Sequence, residues 1–318
     1  MGVLRQPPRL ETRGIKIMVR KSIHMMAALL VCLLSVAGCA TTQKIGADIM
    51  GKGSTLKKKI AFMPSVNDSG FGGDDFKVAA HTQLKKSLSR RCDGITIIDS
   101  REIRRPLEEI PHGLSGRIDT FGLGNLGRIY GLGGVLEQTI VDMEYITAKR
   151  GIWGFRKTRM LARASFRVRC YDTETTTVLF DEMVTDEVEL SEGVWKEAKN
   201  TGGYNQEMAD AILSNIISKT VKLICKRLAE EPWKGYIVKD SDERFTLSAG
   251  NDVGLATGDV LEVFGLAEPI RGQGDKGYLV PGLKIGEIRV ADVKEDQAEV
   301  VPISGRSLEK SHCVKLKP

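Results

Sequence analysis

The feature that most constrains this 318-residue chain is the run Met25–Cys39, MMAALLVCLLSVAGC. It holds no charge, follows Arg20 and Lys21, and ends on the small pair Ala37 and Gly38 before a cysteine. A basic flank, a short apolar stretch and small residues at a cut site make a secretory signal. A spanning helix needs about 20 apolar residues, and this run is shorter. The folded part is therefore expected after Cys39, in an exported compartment that permits disulfides. Residues 1–17 are polar for a leader, and Met18 opens a more economical signal.

The ending Val36-Ala37-Gly38-Cys39 resembles a bacterial lipobox. The resemblance implies that Cys39 is acylated, that residues 1–38 are removed as a lipoprotein signal peptide, and that residues 39–57 form a lipidated tether. Ala40, in place of Asp, implies the periplasmic face of the outer membrane.

The whole chain carries 47 basic and 41 acidic residues. Arg5, Arg9, Arg13, Lys16, Arg20 and Lys21 belong to the leader, as does Glu11, so the remainder carries 41 against 40. The basic excess is an export signal, and it gives no reason to expect a nucleic acid partner.

Folded structure is expected from Lys58. Lys59 to Pro64 reads as a strand, Asn67 to Gly73 as a turn-rich loop, and Phe76, Ala80, Leu84 and Leu88 as one helix face. Asp74 and Asp75 sit where they would cap that helix and complement its dipole. A strand at Ile95 to Ile98, a short helix from Arg101 to Ile110 and a glycine-rich patch from Gly122 to Gly134 follow. A long hairpin turns near Arg150 to Gly154. Its returning strand alternates Ala164, Phe166, Val168 and Cys170 with Arg163, Ser165, Arg167 and Arg169, a half-buried pattern. Val178 to Leu190 returns antiparallel, Ser191 to Gln206 reads as a polar loop, and Ile212 to Leu228 marks an amphipathic helix closed by Pro232. From Trp233 the pattern shifts to short strands and turns. The expected fold class is α/β, a mixed sheet with flanking helices over 58–231, followed by a small all-β barrel over 233–318.

With its NDSG loop and its hairpin turned at Asp172-Thr173-Glu174-Thr175, the run 58–231 resembles the α/β domain of the curli assembly lipoprotein and of the amino-terminal region of TolB. The tail, with Gly250, Gly254, Gly258-Asp259 and Ile285 to Val290, resembles the carboxy-terminal β domain of flagellar assembly protein T. The resemblance implies a lipid-anchored, non-enzymatic scaffold without a cofactor, working with envelope assembly proteins and forming a homo-oligomer. The alternatives are a curli-type secretion channel and a cell-wall or polysaccharide-binding module.

Gly122 to Gly127 matches GxGxxG, with Asp142 twenty residues beyond the first glycine, but a dinucleotide site needs a strand before it and a helix after it. Asp68, Asp74 and Asp75 have the makings of a weak calcium site, which helix capping explains more simply. His81, His112 and His312 are scattered, and no nucleophile, base and oxyanion donor assemble. Among the mature cysteines, Cys92 and Cys225 are the favoured pair, while Cys170 and Cys225 as buried small hydrophobes is the competing reading. The hairpin tip places Trp153 and Phe155 beside Lys149, Arg150, Arg156 and Lys157, a candidate contact for lipid headgroups or a partner protein.

Overall fold

The computed structural model describes residues 56–99, 120–152, 154–201, 206–239, 244–266, 268–271, 277–305, 308 and 312–317. Strand β1 (Lys58–Phe62) lies parallel to both β3 (Ile95–Asp99) and β4 (Gly134–Arg150). Strand β4 runs antiparallel to β5 (Lys157–Asp172), and β5 to β6 (Val178–Glu189). The order is β3-β1-β4-β5-β6, with the short β2 (Val66–Asn67) added to β4. This is the mixed sheet expected from the sequence.

Helices α1 (Gly73–Arg91) and α4 (Gln206–Glu230) share the main core with the sheet. Their four-residue recurrence of Phe76, Ala80, Leu84 and Leu88, and of Ile212, Ile216 and Ile224, meets Ala164, Phe166, Val168 and Cys170 from β5. Arg163, Arg167 and Arg169 alternate with these buried residues and stay solvated, as a pleated strand with one covered face requires. Cys92, which caps α1, is joined to Cys225 on α4 with their Cα atoms 5.4 Å apart. Cys170 is buried as a free thiol.

From Trp233 onward six antiparallel strands close a barrel in the order β12-β13-β8-β7-β14-β9. They are β7 (Lys234–Lys239), β8 (Phe245–Leu247), β9 (Val260–Phe264), β12 (Lys284–Val293), β13 (Ala298–Gly305) and β14 (Cys313–Leu316). The barrel interior holds Ile237, Leu247, Leu261, Val263, Ile288, Val290 and Val314. A further hairpin, β10 (Glu268–Arg271) with β11 (Gly277–Val280), projects between β9 and β12 and has no counterpart in the sequence reading.

Five expectations are corrected. The glycine-rich patch is a helix, α2 (Thr120–Tyr130), and GxGxxG lies inside it rather than in a strand-to-helix turn. Gly124 and Gly127 are buried, and a Cβ on either would collide with Thr176 or Thr173. The helix tolerates these glycines, each costing about 1 kcal/mol against alanine, because they admit the β5–β6 turn. Second, the polar loop contains α3 (Glu192–Thr201). Ser191 Oγ accepts from the Val194 amide at 3.4 Å, Lys196 pairs with Glu192 at 2.5 Å, and Ala198 is buried. Third, Asp74 and Asp75 do not cap α1. Its N-cap is Gly72 in the left-handed region with no side-chain cap bond, and Asp74 instead pairs with Lys77 at 2.6 Å. Fourth, Leu56, assigned to the tether, is 3 % exposed and sits in the barrel core. Fifth, Cys225 is disulfide-bonded rather than a free buried hydrophobe. The expected helix at Arg101 to Ile110 lies outside the described residues.

Candidate functional site

The end of the β4–β5 hairpin brings exposed apolar and cationic groups together. Its ladder runs from Gly134 opposite Asp172 to Arg150 opposite Lys157, with one register shift between Ile140 and Asp142. Strand β6 reaches only to Glu189 opposite Leu161, which β4 meets at Ile146. The four pairs from Thr147↔Met160 to Arg150↔Lys157 therefore extend beyond the third strand, a projection of roughly 14 Å at about 3.4 Å per residue.

The turn is closed by the Phe155 amide donating to the Ile152 carbonyl at 2.9 Å. Gly151 has φ 128°, and a side chain there would meet the Phe155 carbonyl. Ile152 is 82 % exposed and Phe155 is 84 % exposed. Trp153, the other aromatic of the candidate tip, lies outside the described residues.

Charges on the hairpin fall into two classes. Along the shaft every arginine of the solvated face has a carboxylate partner. Arg163 bonds Glu187 at 2.8 Å and Glu144 at 2.9 Å, Arg167 and Arg169 share Asp181 at 2.6 and 3.0 Å, and Arg159 meets Glu189 at 2.5 Å. Arg150 pairs with Glu187. Hydrogen bonds from Arg167, then from Arg169, hold the Asp181 carboxyl below its usual range. At the tip, Lys149, Arg156 and Lys157 are exposed and form no ion pair among the described residues.

A second polar cluster is buried where the β5–β6 turn meets the barrel. Lys234 donates to Asp172 at 2.7 Å and pairs with Glu174 at 2.9 Å, and Glu174 also meets Lys315 at 2.9 Å. Glu174 Oε1 has only this charge contact and no hydrogen bond of good geometry. Tyr236 Oη lies 3.1 Å from Thr173 Oγ1, which also donates to the Leu132 carbonyl. Burial pushes the Asp172 carboxyl up, but Lys234 and the bonds from Thr175 outweigh it and leave the group below its usual range. Burial pushes Lys234 down, and Asp172 and Glu174 outweigh that, leaving it raised. Burial, then Glu174, pushes the Cys313 thiol up to about 12, which keeps it an inert thiol at neutral pH. Nothing in the sequence pattern singled out Lys234, because its partner Asp172 lies 62 residues upstream.

The loop after β1 borders an open hollow of about 510 Å³, lined by Ser65, Val66, Asn67, Gly70, Gly73, Asp74 and Lys77. Asn67 spans the loop by donating to the Phe71 and Gly73 carbonyls, each at 3.0 Å. Among the described residues no three His, Cys, Asp or Glu side chains gather to hold a metal ion, and Asp68, Asp74 and Asp75 are not brought together. His81 stacks on Phe62 at 4.4 Å, with its Nδ1 3.2 Å from Ser65 Oγ, so it belongs to the packing beneath that loop. His312 is buried in the barrel wall, and His112 lies outside the described residues.

No protein-family model matches the chain, and no curated protein matches it. Among solved structures, a hypothetical protein from Chlamydia trachomatis is similar over 54 % of this chain and 99 % of its own, with 14 % identity and a TM-score of 0.33. A lipoprotein from Neisseria meningitidis is similar over 52 % and 99 %, with 15 % identity and a TM-score of 0.29. The PelC dodecamer from Paraburkholderia phytofirmans is similar over 51 % and 86 %, with 13 % identity and a TM-score of 0.27. Likenesses this slight carry no part of the reading below.

Proposed function

We propose that this chain is an envelope lipoprotein, anchored through Cys39 to the periplasmic face of the outer membrane, that acts as a non-enzymatic scaffold in envelope, flagellar or secretion assembly. The observation that carries the reading is the Cys92–Cys225 pair. Such a pair persists in oxidising compartments, and the leader ending before Cys39 would deliver the chain to one. The sequence resemblance to the curli and flagellar assembly proteins points to assembly machinery as the place to seek partners.

The scaffold is preferred to a secretion channel because of the hairpin. A membrane-spanning strand needs about 9–11 residues with an apolar face toward lipid. Here the solvated face carries Arg163 bonded to Glu144 and Glu187, and Arg159 bonded to Glu189. Contact with a second copy of the chain belongs to the same proposal, and sedimentation of the purified protein tests it.

The anchor is tested by fractionation and palmitate labelling. Wild type is expected to label, to sediment with outer membranes and to begin at Cys39. Cys39→Ala is expected to lose the label and enter the soluble periplasm with its fold unchanged. Wild-type protein recovered wholly as a soluble species, or a mature amino terminus elsewhere, overturns the reading.

A further inference from the structure

Charge pairing on the β4–β5 hairpin thins out toward its end. Five arginines of the hairpin, Arg150 beside the turn and Arg159, Arg163, Arg167 and Arg169 along the shaft, are neutralised by carboxylates of β4 and β6. Three of the four cations nearest the turn, Lys149, Arg156 and Lys157, have no such partner among the described residues, while the fourth, Arg150, pairs with Glu187; the ladder continues through Lys149↔Thr158 and Arg150↔Lys157. Between them stand Ile152 and Phe155, 82 % and 84 % exposed. Two large apolar side chains held out by a closed turn and ringed by unneutralised cations are complementary to a surface with anionic groups outside and hydrocarbon beneath.

We propose that this tip is a lipid-surface contact. Phe155 and Ile152 enter the headgroup boundary of an anionic phospholipid leaflet, and Lys149, Arg156 and Lys157 lie against its phosphates. The inference deepens the envelope reading and rests on it. The contact would orient the folded body against the membrane, a task distinct from holding it there. The shaft suits that task because its own charges are internally satisfied, so only the tip is attracted. Each cation near an anionic surface strengthens binding about fivefold at moderate ionic strength, and burial of one aromatic side chain adds roughly tenfold or more.

The test uses full-chain protein carrying Cys39→Ala, so that acylation does not mask the weaker contact. Vesicles of phosphatidylcholine alone, or with three parts in ten of phosphatidylglycerol, are floated with it at low and high salt. The expected result is flotation that needs phosphatidylglycerol and falls steeply at high salt. The combined variant Lys149→Ser, Arg156→Ser and Lys157→Ser should bind about a hundredfold more weakly, and Phe155→Ser roughly tenfold more weakly. A charge-matched control, Lys86→Ser with Lys222→Ser and Lys226→Ser on α1 and α4, should bind as the parent does. All these positions are exposed, so circular dichroism should be unchanged.

Equal flotation of the tip variant and the control overturns the proposal, as does equal binding to both kinds of vesicle. Loss of a self-association step, or of a co-purifying envelope protein, with vesicle binding intact assigns the tip to a protein partner and also overturns it. Palmitate labelling of the unmodified chain separates the two readings. Normal labelling with no tip-dependent flotation removes only the lipid contact, and absent labelling removes only the anchor.

Discussion

Gly127 of α2 faces Thr173, and a methyl group there would overlap the threonine side chain. Thr176, one turn-residue triplet further, is held at φ 60° and meets Gly124 in the same way. The consequence is a measurable pair. Gly127→Ala is expected to destabilise the fold by about 1–3 kcal/mol, the usual range for overpacking, read as a shift in urea midpoint without a change of slope. Adding Thr173→Ser, which removes the colliding methyl and keeps the hydroxyl, is expected to recover part of the loss. A loss of the same size in the double variant would mean that the glycines serve the helix in some other way. The GxGxxG string was visible in the sequence. What could not be read was the helix itself. Its glycines argue against helix locally and are explained only by a turn some fifty residues downstream.

At the scale of elements, the alternation of β5 and the four-residue repeat of α1 were legible because each rests on a local period. Helix α3 was missed because it is short and its apolar residues, Val194, Trp195 and Ala198, repeat over a single turn without a sustained period. The usable signal was Ser191 followed by Glu192 and Lys196, a cap and an i,i+4 pair. The hairpin of β10 and β11 was missed for another reason: Leu279 donates to Thr175 and Thr176 donates to the Gly277 carbonyl, contacts that no local pattern announces. The candidate tip was legible through its composition, but the pairing of shaft charges and the freedom of tip charges required the register. The link between α1 and α4 gives the test belonging to this scale. The Cys92–Cys225 bridge closes a loop with a sequence separation of 133, and its removal in Cys92→Ala, Cys225→Ala is expected to cost about 2–5 kcal/mol. Mass after alkylation without reductant should show two free thiols in the mature domains, those of Cys170 and Cys313; four would sink the pairing.

At the scale of the molecule, residues 55–318 form one compact unit in which the α/β part and the barrel share buried charges. Lys234 reaches Asp172 and Glu174 from the first strand of the barrel, and Lys59 reaches Asp252 at 2.8 Å from the first strand of the sheet. Lys234→Ala would leave two buried carboxylates without their shared cation, and is expected to cost about 3–5 kcal/mol. The pH dependence has a definite sign. Asp172 is depressed in the folded state, so its contribution is present above its unfolded value, about 3.9, and is lost as pH falls through the folded one. Lys234 is raised, so its contribution is full below about 10.4 and is lost as pH rises through its folded value. Asp172→Asn should therefore flatten the acid limb of a stability-against-pH curve in urea, and an unchanged limb would remove Asp172 from that role. The boundary at Pro232 remains our proposal for independent folding. Residues 233–318 alone are expected to keep strand-type circular dichroism but to melt lower than in the full chain, since they lack Leu56 and the partners of Lys234. An unfolded spectrum would place the boundary elsewhere.

Leu56 has one further consequence. It is buried in the barrel, Lys57 donates to Val253 at 2.8 Å, Lys58 donates to Gly94 at 2.9 Å, and the Lys59 ammonium reaches Ser248, Asp252 and Asp296. Four successive residues at the chain's point of entry are thus clasped by both halves of the body before β1 settles between its two parallel neighbours. A pull delivered along the preceding segment would meet this clasp first. It would load the hydrogen bonds flanking β1 in shear, several at once, instead of peeling them apart one by one. Mechanical resistance is therefore placed where the chain enters the fold, and it depends on the barrel as much as on the sheet.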